Sequence, residues 1–109
     1  MEFKDFVCDK LKSVGNVKAK PMVGTHNITI DGINLGIICT QMDDGGRWYL
    51  KKTPAGDAFL TQNNIKLETG IKGNSYIISD FSDVERICEL AKITRDELAK
   101  QNHTNKHFI

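Results

Sequence analysis

The sequence has few cysteines, and none of them form a pair of the kind that holds a metal or a redox disulfide. Its three cysteines, Cys8, Cys39 and Cys88, are odd in number and widely spaced, and there is no C-x-x-C motif. This pattern argues against a disulfide framework and against a zinc ribbon. Since free cysteines usually behave as small buried hydrophobic residues, we interpret Cys39 and Cys88, which stand beside apolar residues, as core residues.

The chain also lacks an excess of charge and a long hydrophobic run. It has 15 basic and 14 acidic residues among 109, a formal net charge of +1. A protein that binds many phosphates usually carries a basic excess, so any basic surface must be local. No stretch approaches the ~20 apolar residues that a membrane span requires, and the N-terminal pattern is amphipathic rather than that of a signal peptide. We therefore expect a single-domain cytoplasmic protein with no membrane contact.

Catalytic and metal-binding patterns are missing as well. There is no Gly-x-Ser-x-Gly motif and no glycine loop for phosphate. The histidines His26, His103 and His107 have no carboxylate or cysteine at ligand spacing. Cys39 with His26 is the one conceivable Cys–His pair, and a core cysteine beside a strand histidine is the preferred interpretation. We predict no enzyme activity, no metal and no cofactor.

Helical patterns are present in three places. Apolar residues at helical spacing predict a helix over residues 2–14, a short one over 54–62 and a third helical region over 82–100. A capping-box match at Thr94 leaves open whether the third region is one helix or two. The polar residues 101–109 are expected to form a frayed tail.

Strand patterns fill the rest of the chain. The alternation over residues 17–30 changes phase, which predicts a break or bulge between Pro21 and Gly24. Asp31-Gly32 is a strong hairpin signal, and the strand that follows it should run over residues 33–40. The residues expected on one face of that strand are Leu35, Ile37 and Cys39.

Three further strands are predicted over residues 47–51, 65–69 and 76–78. Trp48 and Tyr49 are neighbours on a strand, so one of them belongs to the core and the other to the opposite face. The order α-β-β-β-α-β-β-α predicts an α+β fold in two layers, with helices covering one face of a five-stranded antiparallel sheet.

Four short segments form a recognisable series along the chain. They are Lys20-Pro21-Met22-Val23-Gly24, Ile30-Asp31-Gly32-Ile33, Leu35-Gly36-Ile37-Ile38 and Trp48-Tyr49-Leu50-Lys51. Together they resemble the TfoX N-terminal domain, the first half of the TfoX/Sxy regulators of bacterial competence, over about residues 3–100. The resemblance implies the two-layer fold and a link to transcription. The full-length regulators carry a further C-terminal domain, so the chain is similar to the stand-alone versions.

The candidate binding surface combines a lysine pattern with the motif of that resemblance. Two lysines share one strand face and two more end another strand, so they would form a local basic patch for phosphates or an acidic protein. The alternative is a solvated edge that discourages aggregation. The candidate binding residues are Lys18, Lys20, Met22, Gly24, Lys51 and Lys52.

Two functions are compatible with these patterns. The first is a non-enzymatic regulatory or adaptor domain that acts through a protein partner or as a homodimer. The alternative is direct nucleic-acid binding through the local lysine patch, which the balanced total charge makes the less favoured of the two.

Overall fold

The computed structural model describes residues 2–23, 25–39, 46–70 and 72–107, with side chains described as far as residue 101. Within those ranges three helices and six strands form an α+β fold. The elements in chain order are α1 (Phe3–Leu11), β1 (Val17–Met22), β2 (Thr25–Ile30), β3 (Ile33–Cys39), β4 (Arg47–Lys51), α2 (Pro54–Gln62), β5 (Glu68–Thr69), β6 (Ser75–Ile78) and α3 (Val84–His107). None of the described helices has the length and apolar character needed to cross a membrane.

The six described strands form one antiparallel sheet in the order β1-β2-β3-β4-β6-β5. The three helices lie against one face of it, and this confirms the predicted two-layer α+β class. The sheet has one strand more than predicted, because residues 17–30 form two strands instead of one.

The phase change within residues 17–30 marks a hairpin rather than a bulge. Val17 of β1 pairs with Ile30 of β2, and Ala19 pairs with Ile28. Because each pair joins an odd position to an even one, the odd positions of β1 and the even positions of β2 face the same side. The residues that face the helices are therefore Val17 and Ala19 of β1 and Ile28 and Ile30 of β2. The predicted break is the turn between the two strands.

A β-bulge shifts the phase of β3. One residue of β2 lies opposite two residues of β3, Leu35 and Gly36. After this extra residue, Ile38 rather than Ile37 follows Leu35 into the core, where both Leu35 and Ile38 are fully buried. The expectation that Leu35, Ile37 and Cys39 share one face is therefore wrong.

The bulge depends on the absence of a side chain at Gly36. This residue has a φ of +118°, and a Cβ atom there would lie 1.9 Å from the carbonyl oxygen of Tyr49 in β4. The side-chain oxygen of Asn34 accepts a hydrogen bond from the Gly36 N–H at 2.8 Å. Glycine thus permits both the backbone angle and the close approach of the two strands.

The core lies between the sheet and the helices. Trp48 of β4 is fully buried there, and its ring stacks on Phe81 with 6.4 Å between centroids. Phe3 and Phe6 of α1 meet the Phe81 ring edge-on. Since neighbouring residues on a strand point to opposite faces, Tyr49 lies on the side without helices. Trp48 is therefore the core member of the pair.

The predicted Asp-Gly hairpin is confirmed and also joins three parts of the chain. Asp31 and Gly32 both have positive φ, 53° and 83°. The Asp31 carboxylate accepts hydrogen bonds from the backbone N–H of Asn16 at 2.9 Å and from the Arg95 guanidinium at 3.0 Å. Arg95 also donates to the carbonyl oxygen of Val14. The turn thereby connects the end of α1 to α3.

The third helical region is one helix. The Thr94 hydroxyl donates a hydrogen bond to the Leu90 carbonyl, one turn back, instead of capping a new helix. The helix begins after Asp83, whose carboxylate accepts a hydrogen bond from the backbone N–H of Arg86 and so caps the helix. It continues to His107 and includes most of the segment expected to form a frayed tail.

The start of α2 is tied to β6 by a buried tyrosine. The Tyr76 hydroxyl donates a hydrogen bond to the Asp57 carboxylate, and Lys52 forms an ion pair with the same carboxylate at 3.3 Å. Burial raises the pKa of Tyr76, and the hydrogen bond and charge of Asp57 raise it further. The folded protein therefore holds this phenol in its protonated form.

The Gly36→Ala substitution tests the close approach of β3 to β4. We expect it to lower the free energy of unfolding by more than the ~1–3 kcal/mol that a strained backbone conformation alone costs, because the added Cβ also collides with the Tyr49 carbonyl. Gly32→Ala is the matched control, since φ is +83° there and no described atom lies within 4 Å of the added Cβ. Urea unfolding measures both. Equal losses of unfolding free energy in Gly36→Ala and Gly32→Ala would contradict the proposed collision.

The raised pKa of Tyr76 predicts a stability that falls at high pH. Above about pH 10, the ordinary pKa of tyrosine, the unfolded chain releases the phenolic proton while the folded chain retains it, so folding becomes less favourable. Tyr76→Phe removes this titration together with its hydrogen bond. In urea unfolding, the stability advantage of the natural protein over Tyr76→Phe should shrink between about pH 8 and about pH 11. A stability difference between the two proteins that does not change with pH would contradict the raised pKa of Tyr76.

Candidate functional site

One face of the sheet carries no helix, and we call it the open face. Directly paired residues of antiparallel strands point to the same side, so the register identifies which side chains share this face. One row of paired residues crosses it from edge to edge: Lys20, Asn27, Ile37, Tyr49, Ile77 and Glu68. With about 4.8 Å between neighbouring strands, this row spans about 24 Å.

The basic residues of the described strands all lie on the open face. They are Lys18 and Lys20 of β1, and Arg47 and Lys51 of β4. The acidic residue of the described strands is Glu68, on the far edge strand. Within the described part of the chain, Lys18, Lys20 and Lys51 form no ion pair. A chain of balanced total charge thus presents a basic surface on one side.

Lys52 does not join this basic surface. It follows Lys51 directly, and consecutive strand residues point to opposite faces. Its ammonium group pairs with the Asp57 carboxylate and lies 6.0 Å from the centre of the Tyr76 ring, on the helix side. The structure therefore separates the two lysines that the sequence analysis grouped at the end of this strand.

The centre of the open face is aromatic and aliphatic. Tyr49 of β4 lies between Ile37 of β3 and Ile77 of β6, its direct partners in the register. All three are half-buried. The Tyr49 ring forms no aromatic pair with another described residue, in contrast to the ring cluster on the helix side.

Two shallow hollows border Tyr49. The first, which we call the amide hollow, has a volume of about 290 Å³. Its walls include Asn27, Asn34, Gly36, Tyr49, Lys51 and Asn74. The second has a volume of about 330 Å³ and extends from Tyr49 towards Arg47 and Lys72. The aromatic ring thus stands between two open hollows, and each has a cation in its wall.

The tip of the β1–β2 hairpin is apolar and exposed. Met22 is 52% exposed, and Val23 is fully exposed. Met22 pairs with Thr25 of β2, and Thr25 pairs with Cys39 of β3. All three therefore lie on the open face. Gly24, the remaining candidate from the sequence, lies outside the described residues. The exposed tip thus adjoins the basic face through Met22.

The structure does not bring the conceivable Cys–His pair together. His26 pairs with the buried Ile38 and faces the helix side, whereas Cys39 lies on the open face. The His26 Nδ1 and Trp48 Nε1 atoms are buried and have no hydrogen-bond partner among the described residues. The described residues also contain no group of three or more His, Cys, Asp or Glu side chains placed to hold a metal. The side chains of His103 and His107 lie outside the described part.

Part of the open face was not predicted from the sequence. The alternation in Arg47-Trp48-Tyr49-Leu50-Lys51 could have placed Arg47 and Tyr49 on the same face as Lys51. The amide hollow had no such signal. Its asparagines come from two strands and a loop, and the register of the strands brings them together.

Comparison with known proteins finds no relative of this chain. No family model, no curated protein and no solved structure matches the chain. The similarity to the TfoX N-terminal domain therefore stays a prediction from the sequence.

Proposed function

We propose that the protein is a non-enzymatic regulatory or adaptor domain that holds a protein partner at the tip of its β1–β2 hairpin. The observation that carries the proposal is the exposure of Met22 and Val23, the exposed large hydrophobic residues of the described chain. Hairpin turns usually carry Gly, Asn, Asp or Pro. Apolar side chains at this position remain in contact with water in the described fold, and they would lose that contact in a complex.

The surroundings of the tip support a protein contact. Methionine, tyrosine and arginine are enriched in protein interfaces, and Met22, Tyr49 and Arg47 lie on the same face of the sheet. The lysines of β1, directly beside the tip, would steer a partner with an acidic surface.

The resemblance stated from the sequence supports the regulatory part of the proposal. The tip coincides with the Met22-Val23-Gly24 segment of the TfoX-like series. Membership of that group would connect the protein with transcription or competence-type regulation. This step rests on the sequence pattern alone.

Site-specific crosslinking tests the proposed contact. A photo-crosslinking amino acid replaces Val23 in one sample and Lys92, on the exposed side of α3, in a matched control. Native extract is irradiated with and without nuclease. We expect a protein adduct at position 23 that is absent at position 92 and survives nuclease. An adduct at twice the mass of the chain would assign the tip to a homodimer.

A charge substitution gives a second measurement. Val23→Asp should reduce the retained partner by about 30-fold or more, the size of a hot-spot loss of 2 kcal/mol, because a carboxylate would have to be desolvated in the contact. Thr61→Asp, at the exposed end of α2, adds the same charge elsewhere. Equal retention by the two variants, or loss of the partner on nuclease treatment, would contradict the proposal.

A further inference from the structure

We infer that the open face binds single-stranded nucleic acid, with a base stacked on Tyr49 in the amide hollow and the phosphates held by the strand lysines. This site is centred on Tyr49, whereas the proposed protein contact is centred on Met22 and Val23. The two share the lysines of β1, but the inference does not depend on the protein contact. Three independent features of the face lead to it: the arrangement of its charge, the ring at its centre and the amide groups around that ring.

The charge of the face fits a chain of phosphates. Lys18 and Lys20 lie about 7 Å apart along β1, and Lys51 lies three strands away, at about 14 Å across the sheet. None of the three forms an ion pair with a described residue. Positive charges distributed over this distance match a polymer with regularly spaced negative charges better than a single phosphate group.

Tyr49 supplies a stacking surface. Its side chain is half-buried, has no aromatic partner in the described chain and borders both hollows. Bases of single strands stack on such rings, and the interaction tolerates any base. An acidic peptide would use the lysines equally well, but it would gain less from an aromatic ring placed between them.

The amide hollow supplies hydrogen-bonding groups for a base edge. Asn27, Asn34 and Asn74 line it, and amide side chains can both donate to and accept from bases. The Asn34 oxygen is already used by the Gly36 N–H, so its NH₂ group remains as the donor. Lys51 stands in the wall of the same hollow. Ring, amides and cation are therefore adjacent, as the base and phosphate of one nucleotide require.

The shape of the face favours a single strand over a duplex. A paired base is stacked inside its helix and does not reach a ring that lies within a sheet, whereas an unpaired base can be splayed out onto it. Duplex DNA is commonly read by a helix in the major groove, and the three described helices lie on the other side of the sheet. Single-stranded RNA and single-stranded DNA share the chemistry that this face offers.

Fluorescence anisotropy of the full chain tests the inference. The probes are labelled strands of about 15 nucleotides in mixed sequence, one of RNA and one of DNA, and the comparison ligands are duplex DNA and poly-glutamate. We expect binding of single strands that weakens roughly 18-fold between about 50 and 200 mM salt, as three phosphate contacts imply. The ratio of the RNA affinity to the DNA affinity shows which of the two nucleic acids the open face prefers.

Four variants locate the site. Tyr49→Ala should weaken binding by about 5- to 150-fold, the range for losing one stacked base, and Tyr49→Phe should retain it because the ring is kept. Lys51→Gln should reduce the salt slope by about 0.7. Lys92→Gln removes the same charge from the exposed side of α3 and should leave binding unchanged. Circular dichroism confirms that each variant is folded.

Several results would overturn the inference. They are no binding at about 50 mM salt, equal affinity for poly-glutamate or for duplex DNA, and unchanged binding by folded Tyr49→Ala and Lys51→Gln. Equal binding of poly-glutamate would assign the face to an acidic protein. Val23→Asp does not change a residue of the open face. If this variant loses its protein partner but still binds single-stranded nucleic acid, the protein contact lies at the tip and the nucleic-acid site is independent of it.

Discussion

The backbone of β3 passes so close to β4 that a Cβ atom at Gly36 would lie 1.9 Å from the carbonyl oxygen of Tyr49. This close approach is possible at the β-bulge of β3. Before the bulge the odd-numbered residues of β3 face the core, and after it the even-numbered residues do. Beyond it, Ile38 pairs with Trp48 on the core side, and Ile37 pairs with Tyr49 on the other. Both the packing against the helices and the composition of the open face therefore follow from one residue that has no side chain.

The two faces of the sheet serve different purposes because strand residues alternate. One face is covered by helices and filled with apolar and aromatic side chains, which supplies the hydrophobic stabilisation of the fold. The other face carries the cations of the strands, a half-buried tyrosine and several amide groups. A net charge of +1 for the whole chain conceals this separation, since the described strands carry four basic residues and one acidic residue, Glu68.

The candidate surface was partly visible in the sequence. The two-residue spacing of Lys18 and Lys20 placed them on one face correctly, and Lys51 lies on that face too. Lys52 was grouped with them by proximity along the chain, but alternation turns it towards Asp57. The hollow beside Tyr49 was not predictable, because its walls come from strands paired over long distances in sequence.

The sequence by itself determined the α+β class, the helical segments and the Asp31-Gly32 turn, because these depend on the periodicity and backbone preferences of neighbouring residues. The tertiary structure alone decided that residues 17–30 fold back as a hairpin, that β3 bulges at Gly36 and that Trp48 rather than Tyr49 is buried. Each of these outcomes is a choice of register between strands. Register is set by which apolar faces meet the helices, and local sequence does not contain that information.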